Sequence, residues 1–383
     1  MRAAVTSTRP QEGGPAKGAP VHLRAMSPEQ LGELVQSAGF EPYRGRQLFQ
    51  WLHRRGARTL EEMRNVPGPL REWLAANTAL GGVAGADVTH HSSDGSMKFL
   101  FELDDGKKVE SVLMPDTARD YWTFCLSSQV GCAVDCKFCV TGLNGFFRHL
   151  RTDEIVDQVL YARRYLHERQ PKANFRNLVY MGMGEPLLNT VPVVESIRLL
   201  TSGEGVDLSP RRITVSTSGI VPGMIEFSRA QTGACLAVSL NAPTQEQREA
   251  IMPITRKYPL ADVLDVVRRH PFAKNKRVTF EYVLLKDVTD REEDARALVP
   301  LLRGIPCKVN LIPFNPDAEL PYGRPDEATI NRFAAILAEA NYTVSVRWSK
   351  ALDVGGACGQ LAGQKGQRAS RRSSPSKASL PNS

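Results

Sequence analysis

The chain has 383 residues, of which 42% are hydrophobic and 23% charged, an ordinary composition for a globular protein. No apolar run approaches the roughly 18 residues that argue for a membrane span, and the first twenty residues lack the apolar core of a secretory signal. Seven cysteines, three of them clustered within eight residues, do not form the pattern of a secreted disulfide framework. We therefore expect a cytoplasmic protein with no membrane segment, and the net charge of +8 is compatible with a nucleic-acid partner.

Both ends of the chain are predicted to be disordered. Residues 1–22 and 363–383 are rich in small and polar residues and contain too few large apolar side chains to build a core. The C-terminal stretch carries five basic residues and no acid. It is either a solvated tail or an arm that binds phosphate groups without sequence preference.

Residues 23–82 are predicted to form a small helical accessory domain. Ser27 to Gln30 has the composition of a capping box with proline at the first helical position. Three further helices are predicted, around 48–52, from Thr59 and over 69–78. Basic residues surround Tyr43 and Trp51, a combination that suits RNA through phosphate contacts and base stacking. The pattern is equally well explained if Trp51 is a core residue and the arginines form a solvated face.

Residues 83–120 are predicted to form a β-hairpin linker. Alternating apolar residues over 97–103 and 109–114 flank Asp104-Asp105-Gly106, and Asp-Gly is a strong signal for a tight turn. Glu110 lies on the second strand. A glutamate on a strand usually faces water, so the pattern alone gives Glu110 no function.

Residues 121–362 alternate between strand-like and helix-like segments. Apolar, β-branched runs predict strands at 123–128, 177–182, 212–216, 235–240, 278–285, 308–313 and 342–347. Helical patterns lie at 152–168, 190–201, 222–229, 259–269, 290–303 and 326–340. This alternation predicts a parallel sheet covered by helices, although it does not say whether the sheet closes into a barrel. Active sites of such folds lie at the carboxyl ends of the strands.

Three cysteines follow the first of these strands. Cys132, Cys136 and Cys139 stand at C-x3-C-x2-C spacing, which lets neighbouring thiolates bind one compact metal centre. On a cubane iron–sulfur cluster, three protein ligands would leave one iron open to the donor atoms of a small substrate. On zinc, they would need a distant fourth ligand, which Cys358 or a histidine can supply. The spacing is consistent with both interpretations.

Small and polar residues recur at the ends of later strands. Met181 to Pro186 contains two glycines that let a ligand approach the backbone, and Glu185 can accept hydrogen bonds from an ammonium group. Side chains that can orient a ribose or an amino-acid head group follow the next strands, at Ser216, in Ser239-Leu240-Asn241 and at Asn315. Cys358 lies among glycines, in a setting where reactive thiols are found, and it can pair transiently with Cys125.

Together these motifs resemble the RlmN family of radical S-adenosylmethionine enzymes, which methylate carbon 2 of adenine in 23S rRNA and tRNA. The resemblance covers about residues 26–363 and includes the cysteine loop. The other matching motifs are Cys125–Cys132, Met181–Pro186, Arg211–Gly219, Leu311–Pro316, Pro321–Arg324 and Ala357–Gly363. The family implies an α/β fold with an incomplete parallel (β/α) barrel of radical SAM type over 121–362. It also implies a small all-α N-terminal domain, 23–82, that binds RNA.

The resemblance implies ligands for two cofactors. Cys132, Cys136 and Cys139 would ligate a [4Fe-4S] cluster. S-adenosylmethionine would be held by Gly184, Glu185, Ser216, Ser239, Leu240, Asn241 and Asn315. Two features depart from the family: many members have histidine at position 241, and residues 348–357 lack much of the acidic and alanine-rich character usual before the reactive cysteine.

Three residues would carry the family's chemistry. Cys358 would first take a methyl group from one S-adenosylmethionine by direct displacement. A second S-adenosylmethionine would be split to a 5′-deoxyadenosyl radical, which removes hydrogen from the sulfur-bound methyl group, and the resulting carbon radical would add to adenine. Cys125 would form a disulfide with Cys358 to release the product, and Glu110 would take the ring proton. The family also implies an electron donor such as flavodoxin or ferredoxin.

Three alternatives to this function remain open. A sister family shares the cluster and both reactive cysteines but methylates carbon 8 of the same rRNA adenine. Another kind of radical enzyme, such as one that activates a protein by hydrogen abstraction, would not require Cys358. A non-catalytic RNA-binding protein with a structural zinc would also contain the three clustered thiols.

Overall fold

The computed structural model describes residues 20–269 and 277–363. Its strands are β1 (Val21–His22), β2 (Thr78–Ala79), β3 (Val83–His91), β4 (Met97–Leu103), β5 (Lys108–Asp116), β6 (Tyr121–Leu126), β7 (Gln129–Gly131), β8 (Phe146–His149), β9 (Phe175–Tyr180), β10 (Ile213–Thr217), β11 (Cys235–Ser239), β12 (Val278–Leu284), β13 (Cys307–Pro313) and β14 (Thr343–Val346). The predicted tails, 1–22 and 363–383, lie almost wholly outside the described residues.

Eleven α-helices occur in the described ranges. They are α1 (Pro28–Ser37), α2 (Tyr43–Phe49), α3 (Gly68–Asn77), α4 (Val140–Leu143), α5 (Thr152–Arg169), α6 (Thr190–Thr201), α7 (Val221–Ala230), α8 (Gln245–Ile251), α9 (Leu260–Arg269), α10 (Glu292–Leu301) and α11 (Glu327–Glu339). Shorter helical turns lie at Leu23–Ala25, Gln50–Arg54, Pro186–Leu188, Pro210–Arg212, Pro253–Arg256 and Leu352–Val354. No helix within 20–269 or 277–363 is both long enough and apolar enough to cross a membrane.

Ten strands form one sheet with the spatial order β14-β13-β12-β11-β10-β9-β6-β5-β4-β3. The seven strands from β14 to β6 run parallel, whereas β5, β4 and β3 continue the sheet in antiparallel pairing. In the described residues β14 is not paired with β3, so the strand pairing is that of an open sheet. The predicted fold class is confirmed, and every strand and helix predicted in 121–362 has a counterpart.

Several local elements were predicted wrongly or missed, and the missed ones include β7, β8, α4 and α8. The helix predicted from Thr59 is wrong, because this segment forms turns in which the Glu62 carboxylate accepts a hydrogen bond from the Arg58 backbone amide at 3.2 Å. Strand β3 was not predicted, since Gly85 and a run of mostly exposed polar residues hide the alternation of a half-buried strand. The predicted domain boundaries stay predictions.

The parallel and antiparallel parts of the sheet meet at β6. On this strand Cys125 is paired with Val112 of the antiparallel β5 and with Val179 of the parallel β9. Cys125 is the penultimate residue of β6, so it lies close to the carboxyl end of the strand. The sheet therefore fixes Cys125 on both sides, at the end where the predicted site residues follow the other strands.

The N-terminal helices share one hydrophobic core with the sheet. Leu31 of α1 and Leu70 of α3 are fully buried in the same core as Phe124 of β6. A buried ion pair also joins the two parts: Arg24 Nη1 lies 2.6 Å from Asp157 Oδ1 on α5. Burial raises the pKa of Asp157, and the nearby Arg24 opposes that rise.

Replacing Arg24 tests the buried pair. We expect Arg24→Met to lower the free energy of unfolding by about 3 kcal/mol, because Asp157 would remain buried without an opposing charge. A carboxyl group whose pKa is raised in the folded state destabilises the fold once the pH exceeds the ordinary pKa of that group, and it does so increasingly as the pH rises. The loss of unfolding free energy in Arg24→Met should therefore be larger at pH 7 than at pH 5. Urea unfolding at both pH values measures this.

A matched control is Arg46→Met, which removes an exposed pair with Glu204 at 3.6 Å and should change stability little. The double variant R24M/D157N should recover part of the loss, since it leaves no buried charge. An equal loss in R24M at pH 5 and pH 7 would show that the Asp157 charge is not responsible.

Candidate active site

The cysteine loop is held between a two-stranded ribbon and a short helix. Strands β7 and β8 pair on one side, and α4 begins directly after Cys139. Gly131 ends β7 with a φ of 75°, and a Cβ there would lie 1.9 Å from the carbonyl oxygen of Gly145. Only glycine fits so close a contact at positive φ, so the ribbon fixes the start of the loop.

All three clustered cysteines line one cavity of about 170 Å³ at the carboxyl ends of the parallel strands. Burial raises the pKa of Cys132, Cys136 and Cys139, so a thiolate is disfavoured there unless a cation compensates it. In the described residues, no three His, Cys, Asp or Glu side chains converge on a single metal ion. Three thiols that line one cavity match the set of cysteine ligands that an iron–sulfur cluster uses, and Cys132, Cys136 and Cys139 would hold it.

This cavity also collects most of the predicted cofactor-binding residues. Its wall includes Gly184, Glu185, Ser216, Ser239, Asn241 and Asn315. Leu240 is buried but does not line the cavity, and its backbone amide donates to the carbonyl of Glu281 at 2.8 Å. Leu240 therefore supports the wall rather than facing a ligand. The binding roles of all seven residues stay predictions.

Glu185 is a buried carboxylate at the cavity wall. Its Oε1 accepts a hydrogen bond from the Leu187 amide at 3.0 Å, and its Oε2 accepts one from the Ser218 amide at 2.7 Å. Burial nevertheless raises the pKa of Glu185 above its ordinary value. A cationic ligand group such as an ammonium would compensate the buried charge. The preceding Gly184 has a φ of 102° and packs so closely on Gln129 that a Cβ would lie 2.5 Å from that side chain.

Asn241 has a structural role that its sequence position did not reveal. It is buried with a φ of 60°, a conformation that asparagine tolerates better than most residues. Its Oδ1 accepts a hydrogen bond from the Val283 amide at 3.0 Å, and its Nδ2 lies 3.2 Å from the Met252 sulfur. The side chain thus ties the end of β11 to β12 while it lines the cavity.

Arg248 was not predicted, yet it holds three strand-end carbonyls. This fully buried side chain donates to the backbone oxygens of Ser218, Ser239 and Leu240, and its Nη1 donates to the Thr255 hydroxyl at 2.8 Å. Burial lowers the pKa of Arg248 to about 10, so the guanidinium remains charged at neutral pH. Its position on α8 carries no local signal that separates it from a solvated arginine.

A second cavity of about 290 Å³ adjoins the first, and Cys358 lines both. Cys125 lines only the second, where it is buried, whereas Cys358 is exposed. Burial raises the pKa of Cys125 to about 12, and the nearby Cys358 contributes to the rise. Asn315 joins the two cavities, because its Nδ2 donates to the Cys358 carbonyl at 3.1 Å and to the Ser349 hydroxyl at 2.8 Å. The structure thus brings the two predicted reactive thiols to one cavity.

Glu110 is not among the residues that line these two cavities. It is buried on β5, where its Oε1 lies 2.9 Å from Lys98 Nζ. Its Oε2 accepts a hydrogen bond from the Ala362 backbone amide at 2.9 Å. The structure therefore places Glu110 against the segment that carries Cys358 rather than beside the two thiols, and its proton-accepting role stays a prediction.

Comparison with known proteins identifies the class. Residues 126–299 match the radical SAM superfamily, and residues 21–80 match the ribosomal RNA large subunit methyltransferase N-terminal domain. The crystal structure of a radical SAM methyltransferase from Sphaerobacter thermophilus is 40% identical with a TM-score of 0.84, covering 89% of this chain and 99% of that chain. The fold and the three-thiol cavity thus define a radical SAM enzyme.

Two bacterial relatives define the family. The dual-specificity RNA methyltransferase RlmN of Anaeromyxobacter dehalogenans is 47% identical over 353 residues, which cover 91% of this chain and 94% of the relative. That of Geobacter sulfurreducens is 44% identical over 344 residues, covering 90% and 92%. The chain belongs to the RlmN family of radical SAM methyltransferases. Membership implies a [4Fe-4S] cluster and S-adenosylmethionine as its cofactors.

Arg248→Met should destabilise the protein. Three strand-end carbonyls would lose their donor in a buried setting, and we expect the free energy of unfolding to fall by about 3 kcal/mol. Denaturant unfolding measures the change. Arg256→Met is the matched control, since Arg256 is 73% exposed and lies 3.6 Å from Glu249. An equal loss of unfolding free energy in both variants would show that the hydrogen bonds from Arg248 to the strand-end carbonyls do not stabilise the fold.

The two reactive thiols should differ in alkylation. A pKa of about 12 leaves a thiolate fraction at Cys125 of roughly 1 in 10,000 at pH 8, so iodoacetamide should label the exposed Cys358 first. Labelling of Cys125 should then rise about tenfold for each unit of pH up to its pKa. Peptide mass spectrometry of the cluster-loaded protein measures both rates, with Cys358→Ser as the control for peptide assignment. Equal labelling of the two thiols at pH 8 would contradict the expectation.

Proposed function

We propose that this protein methylates carbon 2 of an adenine in 23S rRNA and in tRNA, with Cys358 as the carrier of the methyl group. The observation that carries the proposal is that Cys358 lines two adjoining cavities. The first contains the three clustered cysteines, and the second contains Cys125 together with Cys139, which lines both. A thiol between the two can receive a one-carbon unit from one side and deliver it to the other.

The first cavity suits S-adenosylmethionine and the cluster together. Cys132, Cys136 and Cys139 would hold the cluster, and the buried Glu185 would bind the ammonium group of the cofactor. When bound, the cluster supplies the single electron that cleaves a carbon–sulfur bond of S-adenosylmethionine. The surrounding hydroxyl and amide side chains, which include Ser216, would orient the rest of the cofactor.

The second cavity suits an unstacked adenine. Trp348, which is half exposed, lines it and offers a face on which a base can stack. Asp116, Ser349 and Lys350 supply acceptors and donors along the same wall. A base in a folded RNA reaches such a cavity only after it leaves its stack, which costs a few kcal/mol.

The chemistry explains why a cysteine would carry the methyl group. Carbon 2 of adenine is electron-poor, so it does not displace a methyl group from a sulfonium as a nucleophile does. The thiol of Cys358 can lose its proton and, as a thiolate, accept that methyl group by displacement, which releases S-adenosylhomocysteine. Once the carbon is bonded to adenine, the adduct would lose the ring proton and one electron, which an oxidised cluster can accept. Attack by the Cys125 thiolate on the sulfur of Cys358 would then form a disulfide and break the carbon–sulfur bond, and the carbon would take a proton to become the methyl group of the freed RNA. The shared cavity of the two thiols supports this step.

Glu110 would take the ring proton in this scheme. Both of its oxygens are engaged in the structure, one by Lys98 and the other by the Ala362 amide. Ala362 follows Cys358 by four residues, so movement of that segment would release the second oxygen. Proton acceptance by Glu110 is thus linked to the position of the methyl carrier.

The N-terminal helices would contact the RNA. The Arg55 guanidinium lies 4.1 Å from the ring centre of Trp51, and that of Arg44 lies 4.7 Å from the ring centre of Tyr43. Tyr43 is 53% exposed. Such pairs present a cation and an aromatic face together, which suits phosphate and base contacts.

We further propose a cytoplasmic location and reduction by a small electron carrier such as flavodoxin or ferredoxin.

The decisive test is an anaerobic reaction on RNA. The cluster-loaded protein, S-adenosylmethionine and a reductant are incubated with 23S rRNA or tRNA, and the adenines are analysed by mass spectrometry. We expect 2-methyladenine. Formation of 8-methyladenine would assign the protein to the sister activity, and a zinc-containing, iron-free protein would contradict the proposal altogether.

Variants of the two thiols test the methyl carrier. Cys358→Ala should abolish methylation, whereas Cys235→Ala should not, since Cys235 lies on β11 outside both cavities. Cys125→Ala cannot form the disulfide, so RNA should remain covalently joined to the protein and be visible on a denaturing gel. Full turnover by Cys358→Ala would indicate a different radical reaction.

A further inference from the structure

We propose that Lys98 is a positioning residue that clasps the segment carrying Cys358. This methyl-carrier segment is defined as residues 350–362. Lys98 lies on β4, is buried, and does not line either cavity. Its Nζ lies 3.3 Å from each of the carbonyl oxygens of Val354 and Gly355. With Glu110 as a third acceptor at 2.9 Å, all three N–H bonds of the ammonium have partners.

Glu110 extends the clasp to the other side of Cys358. One of its oxygens lies against Lys98, and the other accepts the Ala362 amide at 2.9 Å. Val354 and Ala362 each lie four residues from Cys358. A single buried ion pair therefore grips the methyl-carrier segment before and after its reactive thiol.

The segment has short-range backbone hydrogen bonds, such as that from the Gly356 amide to the Ala351 carbonyl at 2.9 Å, but it contains two successive glycines. Gly355 has a φ of 59°, and a second glycine follows it. Two glycines in succession give a chain more freedom than other residues do. The turn between β3 and β4 adds contacts ahead of the glycines: Asp353 accepts from the Ser92 hydroxyl at 2.5 Å, and Asp94 accepts from the Ala351 amide at 2.9 Å. The Lys98 ammonium donates directly to the carbonyl oxygen of Gly355 at 3.3 Å.

The consequence rests on the proposed function. Cys125 is fixed on β6 between two paired strands, so the distance between the two thiols depends on where the methyl-carrier segment is held. Its other tethers include the Val140 amide, which donates to the Gly359 carbonyl at 2.7 Å, and Asn315. The contacts of Lys98 and Glu110 on the two sides of Cys358 limit its movement to the region where the two cavities adjoin. Lys98 thus sets the effective concentration of Cys358 toward Cys125, although it touches neither thiol.

Lys98→Met in the full-length, cluster-loaded protein tests this. We expect faster hydrogen exchange of the amides in residues 350–362. We also expect the effective concentration of the Cys358 thiol toward Cys125, measured from disulfide formation in glutathione buffers, to be lower by about tenfold. Turnover should fall with an unchanged KM for S-adenosylmethionine. Lys108→Met is the matched control, because Lys108 pairs with the exposed Glu102 at 3.1 Å across the same two strands.

Two outcomes would overturn the proposal. The first is exchange and disulfide stability in Lys98→Met that match those of Lys108→Met. The second outcome applies if Lys98→Met fails to fold because Glu110 keeps an unpaired charge. The double variant K98M/E110Q then removes both buried charges. Hydrogen exchange in residues 350–362 of that variant at the rate of the unmodified protein would contradict the proposal. Hydrogen exchange needs no methyl transfer, so the clasp and the proposed function can fail separately.

Discussion

Hydrogen bonding of buried carbonyl groups at the ends of the parallel strands is the constraint on which the site depends. A strand that stops inside the protein leaves backbone oxygens without a ladder partner, and such groups must find a donor. Arg248 supplies that donor for the ends of β10 and β11. The backbone amide of the same Ser218 donates to the Glu185 carboxylate at 2.7 Å. Arg248, Ser218 and Glu185 therefore form one connected set of hydrogen bonds in the cavity wall.

Against this rigid wall, the two reactive thiols are held in opposite ways. Cys125 belongs to a strand that is paired on both sides, whereas Cys358 lies in a segment of short turns that is not part of the sheet. The segment is attached to its surroundings by side chains from distant parts of the sequence, among them Asn315 and Lys98. In the function that we propose, Cys125 is the fixed partner and Cys358 the tethered carrier of the one-carbon unit.

Much of this arrangement was accessible from the sequence, and the reason is local. The cysteine spacing, the glycines of Met181 to Pro186 and the polar residues after each strand all lie next to the elements that position them. Arg248 and Lys98 gave no such signal, because their acceptors come from other elements and, for Lys98, from residues more than 250 positions away. The wrong helix at Thr59 and the missed β3 arose where turns and polar strands look alike in sequence.

The distribution of charge along the chain has a consequence for how RNA is first met. Of 49 basic and 41 acidic residues, ten basic and one acidic residue lie outside the described ranges, so the described fold has 39 and 40. A body with balanced charge exerts little long-range attraction on a polyanion. The described residues alone should therefore associate with RNA at a rate that varies weakly with ionic strength. The basic stretch after residue 363 would make the association rate of the full chain more sensitive to salt.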